Sequence, residues 1–462
     1  MRLWLGVKGD FVKLYNTMTR RKEDFVPVEA GKVGIYVCGP TTYNFIHAGN
    51  ARPYVVFDSL RRFMMHKGYE VTYVQQFTDI DDKIIQKAND EGVTHSVISQ
   101  RYIDEFFVDT DGLNVLRAHH YPRVTQEIPD IIALVGLLIK KGYAYEKNGT
   151  VYFISSKADN YGKLSKKNID ELEAGARVEQ NPEKLHPSDF VLWKAAKEGE
   201  PSWDSPWGLG RPGWHIECSV MARKYVGDVL DIHAGGEDLM FPHHENEIAQ
   251  SEAEKEGAFA NYWLHNGMLL VDNQKMAKSE GNFFLAHEVA EKYGYDVLRF
   301  FLLSVHYRSP LNFSEELMQA AANGLERIKN CRRELLDAAA GGDMSGKYFA
   351  QFEAALDDDL NTANGISVIF DMVKAVNILL REGGDVAGYL AEMDAMCDIL
   401  GLKLDEAVEI DAVEIEDLIS QRNEAKAAKN FALSDEIRDR LAAMGVTIKD
   451  TREGTKWHLT KS

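Results

Sequence analysis

Three groups of residues in this 462-residue chain have the types and spacing that chemistry needs. Lys275 and Lys278 stand three apart in DNQKMAKSEGN, a segment bounded by Asn and Gly after the apolar run GMLLV. Lysine is a flexible point charge that can follow phosphate charge from ground to transition state, which suits phosphoryl or nucleotidyl transfer. The second group is CGPTTYNFIHAGN, from Cys38 to Asn50. A strand ending there and a helix beginning would aim backbone N–H groups at phosphate, with His47 as a further donor and Gly49 allowing a base to approach flat. The third group joins Cys38, Cys218 in WHIECS and FPHHENE from Phe241 to Glu247. On one helix face, His243 reaches Glu247 at i,i+4 and His244 reaches it at i,i+3, so either histidine could join the carboxylate. Two thiols, a histidine and a glutamate make a zinc set. Each group also has a plainer reading: a helix-capping loop, a solvated surface turn, and two unrelated buried thiols.

The elements that would position these residues follow from periodicity. VGIYVC, closed by Gly39 and Pro40, reads as a buried strand, and ARPYVVFDSLRRFMMHKGY as a helix stopped at Gly68. Glu70–Phe77 reads as a second strand, followed by a helix N-capped by Thr78 or Asp79. Strand, helix, strand, helix implies a parallel α/β sheet. Asn148-Gly149 between aromatic-rich runs predicts a hairpin inside an inserted region, which ends in the Gly- and Pro-rich KEGEPSWDSPWGLGRPGW before the α/β pattern resumes. Beyond Ser304 the apolar period is helical, and the segment from Glu453 to Ser462 reads as a loose tail.

Composition limits the function classes. At roughly 150 residues per domain, the length suggests about three domains. Lys plus Arg number 53 and Asp plus Glu 72, a formal net charge of −19, which excludes a protein whose whole surface binds polyanions. Four scattered cysteines cannot form a disulfide framework, so a reducing cytoplasm is expected. The run Leu3 to Val7 is too short for a signal segment. No window approaches 18 consecutive apolar residues, so no membrane span is expected.

Taken in order, HAGN and KMAKS resemble the HIGH and KMSKS motifs of class I aminoacyl-tRNA synthetases. YVCGPTTYNFIHAGNAR, QFTDIDDKII, SPWGLGRPGWHIECS, DIHAGGEDLMFPHHENEIAQ and KMAKSEGNFF are similar to the cysteinyl-tRNA synthetase family in particular, and the resemblance runs from about Val12 to Trp457. It implies an α/β Rossmann-type parallel-sheet catalytic domain in two halves, 12–120 and 211–310, the second carrying the lysine loop. A connective-peptide insertion at 121–210 would separate them. An all-helical C-terminal part would follow, with a stem-contact and anticodon-binding domain at 311–400 and an anticodon-recognition module at 401–462.

The resemblance also implies the chemistry: attack of the cysteine carboxylate on the ATP α-phosphate, then transfer of the cysteinyl group to the 3′ end of tRNA(Cys). His47, Asn50, Lys275 and Lys278 would be catalytic, with Gly49, His47, Asn50 and Lys278 binding ATP and Mg²⁺ neutralising the polyphosphate. Zinc would be held by Cys38, Cys218, His243 and Glu247, the substrate thiolate being a fifth ligand, and His244 would pack behind. The metal answers a selectivity problem, since a pocket separates methylene-sized differences by only roughly 10- to 200-fold. Gly39, Thr78, Trp214, His233 and Asp238 would line the amino-acid pocket. Arg422, Asp435, Arg438 and Trp457 would contact the anticodon. Ala277 in KMAKS, and Ala48 and Asn50 in HAGN, depart from the generic motifs without removing a charge from the lysine loop. A monomer is expected. An alternative is a cysteine-adenylating ligase that acts on an amino sugar, as in mycothiol synthesis, which would not need the helical C-terminus.

Overall fold

The computed structural model describes residues 12–167, 183–271, 274–275, 284–338, 340–344, 346–404, 412–428, 430–443, 446–451 and 454–459. They fall into two compact units, Met1–Leu404 and Asp405–Ser462.

The first unit opens with a hairpin, β1 (Lys13–Asn16) and β2 (Arg21–Asp24), followed by β3 (Lys32–Val37). In β3, Val33, Ile35, Tyr36 and Val37 are all buried, as a parallel strand covered on both faces requires. Helix α1 (Ala48–His66) crosses over to β4 (Glu70–Gln75), the chain leaving the helix through Gly68 at φ 89°. Helices α2 (Asp82–Glu91) and α3 (His95–Gly112) follow. The cap of α2 differs from the sequence expectation. Asp81 is the cap, its carboxylate accepting from the Lys83 N–H at 2.9 Å. Thr78 and Asp79 are engaged elsewhere: the Thr78 hydroxyl donates to Glu217, and Asp79 accepts from the N–H and hydroxyl of Thr125.

The insertion contains α4 (Ile128–Lys140) and an antiparallel sheet of β5 (Ala144–Lys147), β6 (Thr150–Phe153), β7 (Phe190–Ala195) and β8 (Gly210–Pro212) in that order. Asn148 and Gly149 join β5 to β6 with φ of 55° and 78°, the two positive values that a tight hairpin turn needs. Helix α5 (Trp214–Tyr225) returns the chain to β9 (Leu230–Gly236), α6 (Glu245–Glu254) and β10 (Ala260–Asn266). The main sheet is thus four parallel strands in the order β10-β9-β3-β4. From β3 the connections run outward to β4, and from β9 outward to β10. The order therefore reverses between β3 and β9, and the crevice beyond their carboxyl ends is where such sheets bind ligands.

Three short strands, β11 (Leu269–Val271), β12 (Gln274–Lys275) and β13 (Leu311–Phe313), form a separate small sheet. Helices α7 (Ala286–Tyr293), α8 (Tyr295–Leu303), α9 (Glu315–Asp337), α10 (Lys347–Asp357), α11 (Thr362–Glu382) and α12 (Tyr389–Leu400) complete the unit. By length and composition α11 is apolar enough to cross a membrane, with a mean hydropathy of 1.5 over its best window. Here Ile366, Ile369, Met372, Val373 and Val376 pack it into the bundle core.

The second unit has α13 (Ala412–Ala427), α14 (Phe431–Ala443) and an antiparallel hairpin of β14 (Val446–Thr451) and β15 (Gly454–Leu459). The hairpin is a departure from the expected loose tail. Val446, Ile448 and Trp457 join Ile415, Leu418, Ile419, Ile437 and Leu441 in one small core, so alternation in a polar stretch supplies an apolar face.

Candidate active site and metal centre

Cys38 is the first residue beyond β3, and its N–H donates to Ala234 O of β9 at 3.1 Å, which pins it at the reversal of strand order. Gly39 follows in a space with no room for a side chain: a Cβ would lie 1.7 Å from the Gln76 carbonyl oxygen. Cys218 comes from the buried side of α5, and Glu247 from the first turn of α6. His243 and His244 lie in the irregular turn Met240–His244, where extended Phe241 (φ −140°, ψ 130°) redirects the chain into α6.

These segments converge. One ligand atom from each of Cys38, Cys218, His243 and Glu247 lies within 4.8 Å of the others, and the same holds for Cys38, His233, His244 and Glu247. Glu247 is the shared centre: its Oε1 is 3.1 Å from His243 Nε2, and its Oε2 is 2.7 Å from His233 Nε2. His244 Nε2 stands 3.3 Å from Cys38 Sγ. All six residues are buried.

Burial, with Cys218 and Glu247 close by, pushes the Cys38 thiol far up; burial likewise raises Cys218 and Glu247 and drives His243 and His244 well down. Burial therefore disfavours charge on every member, while sulfur, nitrogen and oxygen lone pairs face one another. A divalent cation reverses that balance by stabilising thiolate and carboxylate, and the mixed S, N and O donors suit zinc.

Around this cluster stand aromatic and polar neighbours. Trp214, 41% exposed at the start of α5, stacks on His243 with centroids 4.3 Å apart, so it is a rim residue rather than core packing. His215 Nδ1 lies 3.0 Å from His243 Nδ1. His233, in β9, stacks on Trp263 at 4.5 Å, and its Nδ1 is buried without a hydrogen-bond partner. The Thr78 hydroxyl donates to Glu217, itself buried, at 2.7 Å. Asp238 is exposed in the short turn after β9.

The HAGN segment is the first turn of α1. His47 is its N-cap, and its Nδ1 accepts from the Asn50 N–H at 3.2 Å, which leaves Nε2 to carry the proton of the neutral ring. A Cβ on Gly49 would lie 2.9 Å from His47 Nδ1, so this glycine makes room for the histidine ring itself. Asn50 is exposed at the helix N-terminus. Lys275 has its backbone in β12; its side chain, and all of Lys278, lie outside the described residues.

Known proteins match along this architecture. Residues 24–323 match the tRNA synthetases class I (C) catalytic domain, 351–405 the DALR domain and 412–457 the cysteinyl-tRNA ligase anticodon binding domain. Cysteine–tRNA ligases of Lachnoclostridium phytofermentans and Brevibacillus brevis are each 54% identical to this chain, over 96% of it and 99% of the relative. The chain belongs to the cysteine–tRNA ligase family. A Mycobacterium tuberculosis methionyl-tRNA synthetase bound to methionyl-adenylate shares the fold at 16% identity, with a TM-score of 0.56 over 80% of this chain and 89% of that one. An Agrobacterium radiobacter LeuRS–tRNA–LeuAMS complex gives 0.56 at 12% identity, over 82% and 84%.

As a member of that family the ligase is a class I aminoacyl-tRNA synthetase that joins cysteine to tRNA(Cys) at the expense of ATP. The match to an anticodon-binding domain disfavours the amino-sugar alternative. In the second unit of the ligase, Asp435 and Arg438 form an exposed ion pair at 3.1 Å, and Trp457 faces Ile448 across the hairpin. Arg422 is only 7% exposed and presents the least surface of the residues expected to meet tRNA.

Sequence reasoning missed Thr17, His215, Glu217, Trp263 and His265, all of which touch the site or its neighbours. The clue available for His215 is its adjacency to Trp214 and Cys218; for Thr17 and His265, far from any motif, there is none.

Proposed function

We propose that the ligase selects cysteine through zinc held by Cys38, Cys218, His243 and Glu247. The observation that carries this reading is the convergence, within 4.8 Å, of four buried donors from separate segments at the reversal of strand order. When bound, zinc supplies a borderline-soft centre that favours a thiolate over the nearly isosteric hydroxyl of serine. The chain's own residues do the rest. Trp214 holds the His243 ring and walls the crevice. The Thr78 hydroxyl spends its proton on Glu217, so its lone pairs remain to accept from the substrate ammonium. His233 Nδ1, Gly39 and Asp238 border the same pocket.

ATP, with Mg²⁺, is placed across the N-terminus of α1. His47 donates through Nε2, Asn50 through its side-chain amide, and Gly49 keeps the ring of His47 in place. Lys275 and Lys278 offset the charge that grows on the α-phosphate as the cysteine carboxylate attacks and pyrophosphate leaves. No enzyme nucleophile is required, so alignment and charge stabilisation account for the rate. Arg422, Asp435, Arg438 and Trp457 serve the anticodon, where arginine reads base edges and tryptophan stacks on an unstacked base. The enzyme acts as a cytoplasmic monomer.

The test is ATP–pyrophosphate exchange with cysteine and with serine, on zinc-loaded enzyme and on Cys218→Ala. Exchange driven by cysteine alone and lost in the variant is expected. Equal exchange with serine, or an unaffected variant, removes the selection mechanism.

A further inference from the structure

A line of buried side chains reaches the metal centre from an unexpected direction. Thr17 lies in the turn between β1 and β2, and its Oγ1 is 2.8 Å from His265 Nδ1. His265 Nε2 is 2.8 Å from His244 Nδ1, and His244 Nε2 is 3.3 Å from Cys38 Sγ. Thr17, His265, His244 and Cys38 are each no more than 5% exposed, so water does not compete for these contacts. The far end is held rigidly: Thr17 N–H donates to Trp263 O at 2.8 Å, and Asn16 Oδ1 accepts from both Met18 N–H and Trp263 N–H at 3.1 Å.

We propose that Thr17, His265 and His244 form a polarised hydrogen-bond chain ending on the Cys38 sulfur, which fixes His244 as an N–H donor to that thiolate and prevents it from acting as a metal ligand. The inference rests on the reading that Cys38 is a metal-bound thiolate. A neutral imidazole has one N–H and one lone pair, so the direction chosen at one link is imposed on the next. Run toward the metal, the Thr17 hydroxyl donates to His265 Nδ1, His265 Nε2–H to His244 Nδ1, and His244 Nε2–H to sulfur. Run the other way, a nitrogen lone pair faces a thiolate at 3.3 Å. The first direction ends in a charge-assisted bond and the second in repulsion, so the thiolate selects the first. His265 and His244 are buried against one another, so the single proton of each neutral ring has only this line of contacts to serve.

This separates the two overlapping donor sets. Cys38, His233, His244 and Glu247 stand as close together as Cys38, Cys218, His243 and Glu247, but a proton on His244 Nε2 leaves that atom no lone pair for a metal. His244, His265 and Thr17 are therefore positioning residues, and such partners of metal ligands typically contribute about 10- to 100-fold in metal affinity.

The experiment measures zinc affinity of the full-length ligase by competition with a colorimetric chelator. His265→Phe is expected to bind zinc about 10- to 100-fold more weakly. Thr17→Val should weaken it in the same direction by less, and Thr17→Ser, which keeps the hydroxyl, should restore it. With ¹⁵N-histidine label in the zinc-loaded wild type, His244 and His265 should each carry their proton on Nε2. That measurement stands even if His265→Phe fails to fold. An unchanged affinity in folded His265→Phe, or an unprotonated His244 Nε2, overturns the chain while leaving the metal centre intact. Absence of stoichiometric zinc from wild type, or full zinc retention by Cys218→Ala, removes the metal centre and the chain together.

Discussion

Gly39 illustrates how tightly single residues are constrained beside the clustered cysteines. A methyl group there would meet the Gln76 carbonyl at 1.7 Å, so Gly39→Ala must push the chain away from β4 and carry Cys38 with it. Overpacking of this kind costs about 1–3 kcal/mol. Urea unfolding of the variant is expected to show that loss, accompanied by weakened metal binding, whereas a fully retained metal would mean Cys38 is not displaced. At this scale much of the site was legible. Cys38, Cys218, His243 and Glu247 were all singled out by type, and His243 and Glu247 by helical spacing as well. Their convergence was not readable from spacing, because it depends on how β3, α5 and α6 pack. Spacing also leaves His243 and His244 open, because their different neighbours, Trp214 and His215 beside one and His265 beside the other, are set by packing.

Among elements, the join between the parallel sheet and the inserted sheet depends on Asp82 at the start of α2. It bonds Lys194 of β7 at 2.8 Å and also pairs with Arg211 of β8. Burial pulls the Asp82 carboxyl up, but the Lys194 hydrogen bond and the Arg211 charge outweigh it and leave the carboxyl below its ordinary value. A depressed folded-state value means that its contribution is complete above the unfolded carboxylate range near 3.8 and is lost as pH falls through the lower folded value. Asp82→Asn should therefore lower the stability slightly at pH 7, by less than about 1 kcal/mol because the carboxylate is well exposed, and should make no difference under strongly acid conditions. Added salt should shrink the pH 7 difference. Differential scanning calorimetry across pH and salt checks all three outcomes. The strand β3 follows from its apolar run, β4 from alternation and the β5–β6 turn from Asn148-Gly149. The α2 cap did not, because Thr78 and Asp79 are good caps whose side chains are claimed by Glu217 and Thr125 in other elements. The closing hairpin was hidden by its polar composition.

Across the whole catalytic unit, Arg299 ties the sheet's covering helix to the bundle. Both it and Asp58 are 1% exposed, and they pair at 2.6 Å; Arg299 also donates to Leu400 O, Leu113 O and Asn114 O. Arg299→Met would remove a buried charge from beside Asp58 and the donors to Leu400 O and Leu113 O, while Asp58 keeps Arg62 and the Leu116 N–H, so the loss is at most about 3–5 kcal/mol. A chemical denaturation curve should place that loss in the transition of the larger unit, and an unshifted midpoint would show that Arg62, which also bonds Asp58, suffices. No motif announces this ion pair, since its partners are 241 residues apart. The same long reach gives the turn at Thr17 a bearing on synthesis. Its hydroxyl meets a ring 248 residues further along the chain. At about 5–20 residues per second, the ribosome needs roughly 12–50 s to make that stretch. Until then the nascent chain carries its first thiol without the neighbours that enclose it. The N-terminal hairpin is therefore a clasp made first and fastened late, its hydroxyl waiting for a ring that the ribosome adds only after both cysteines of the cluster.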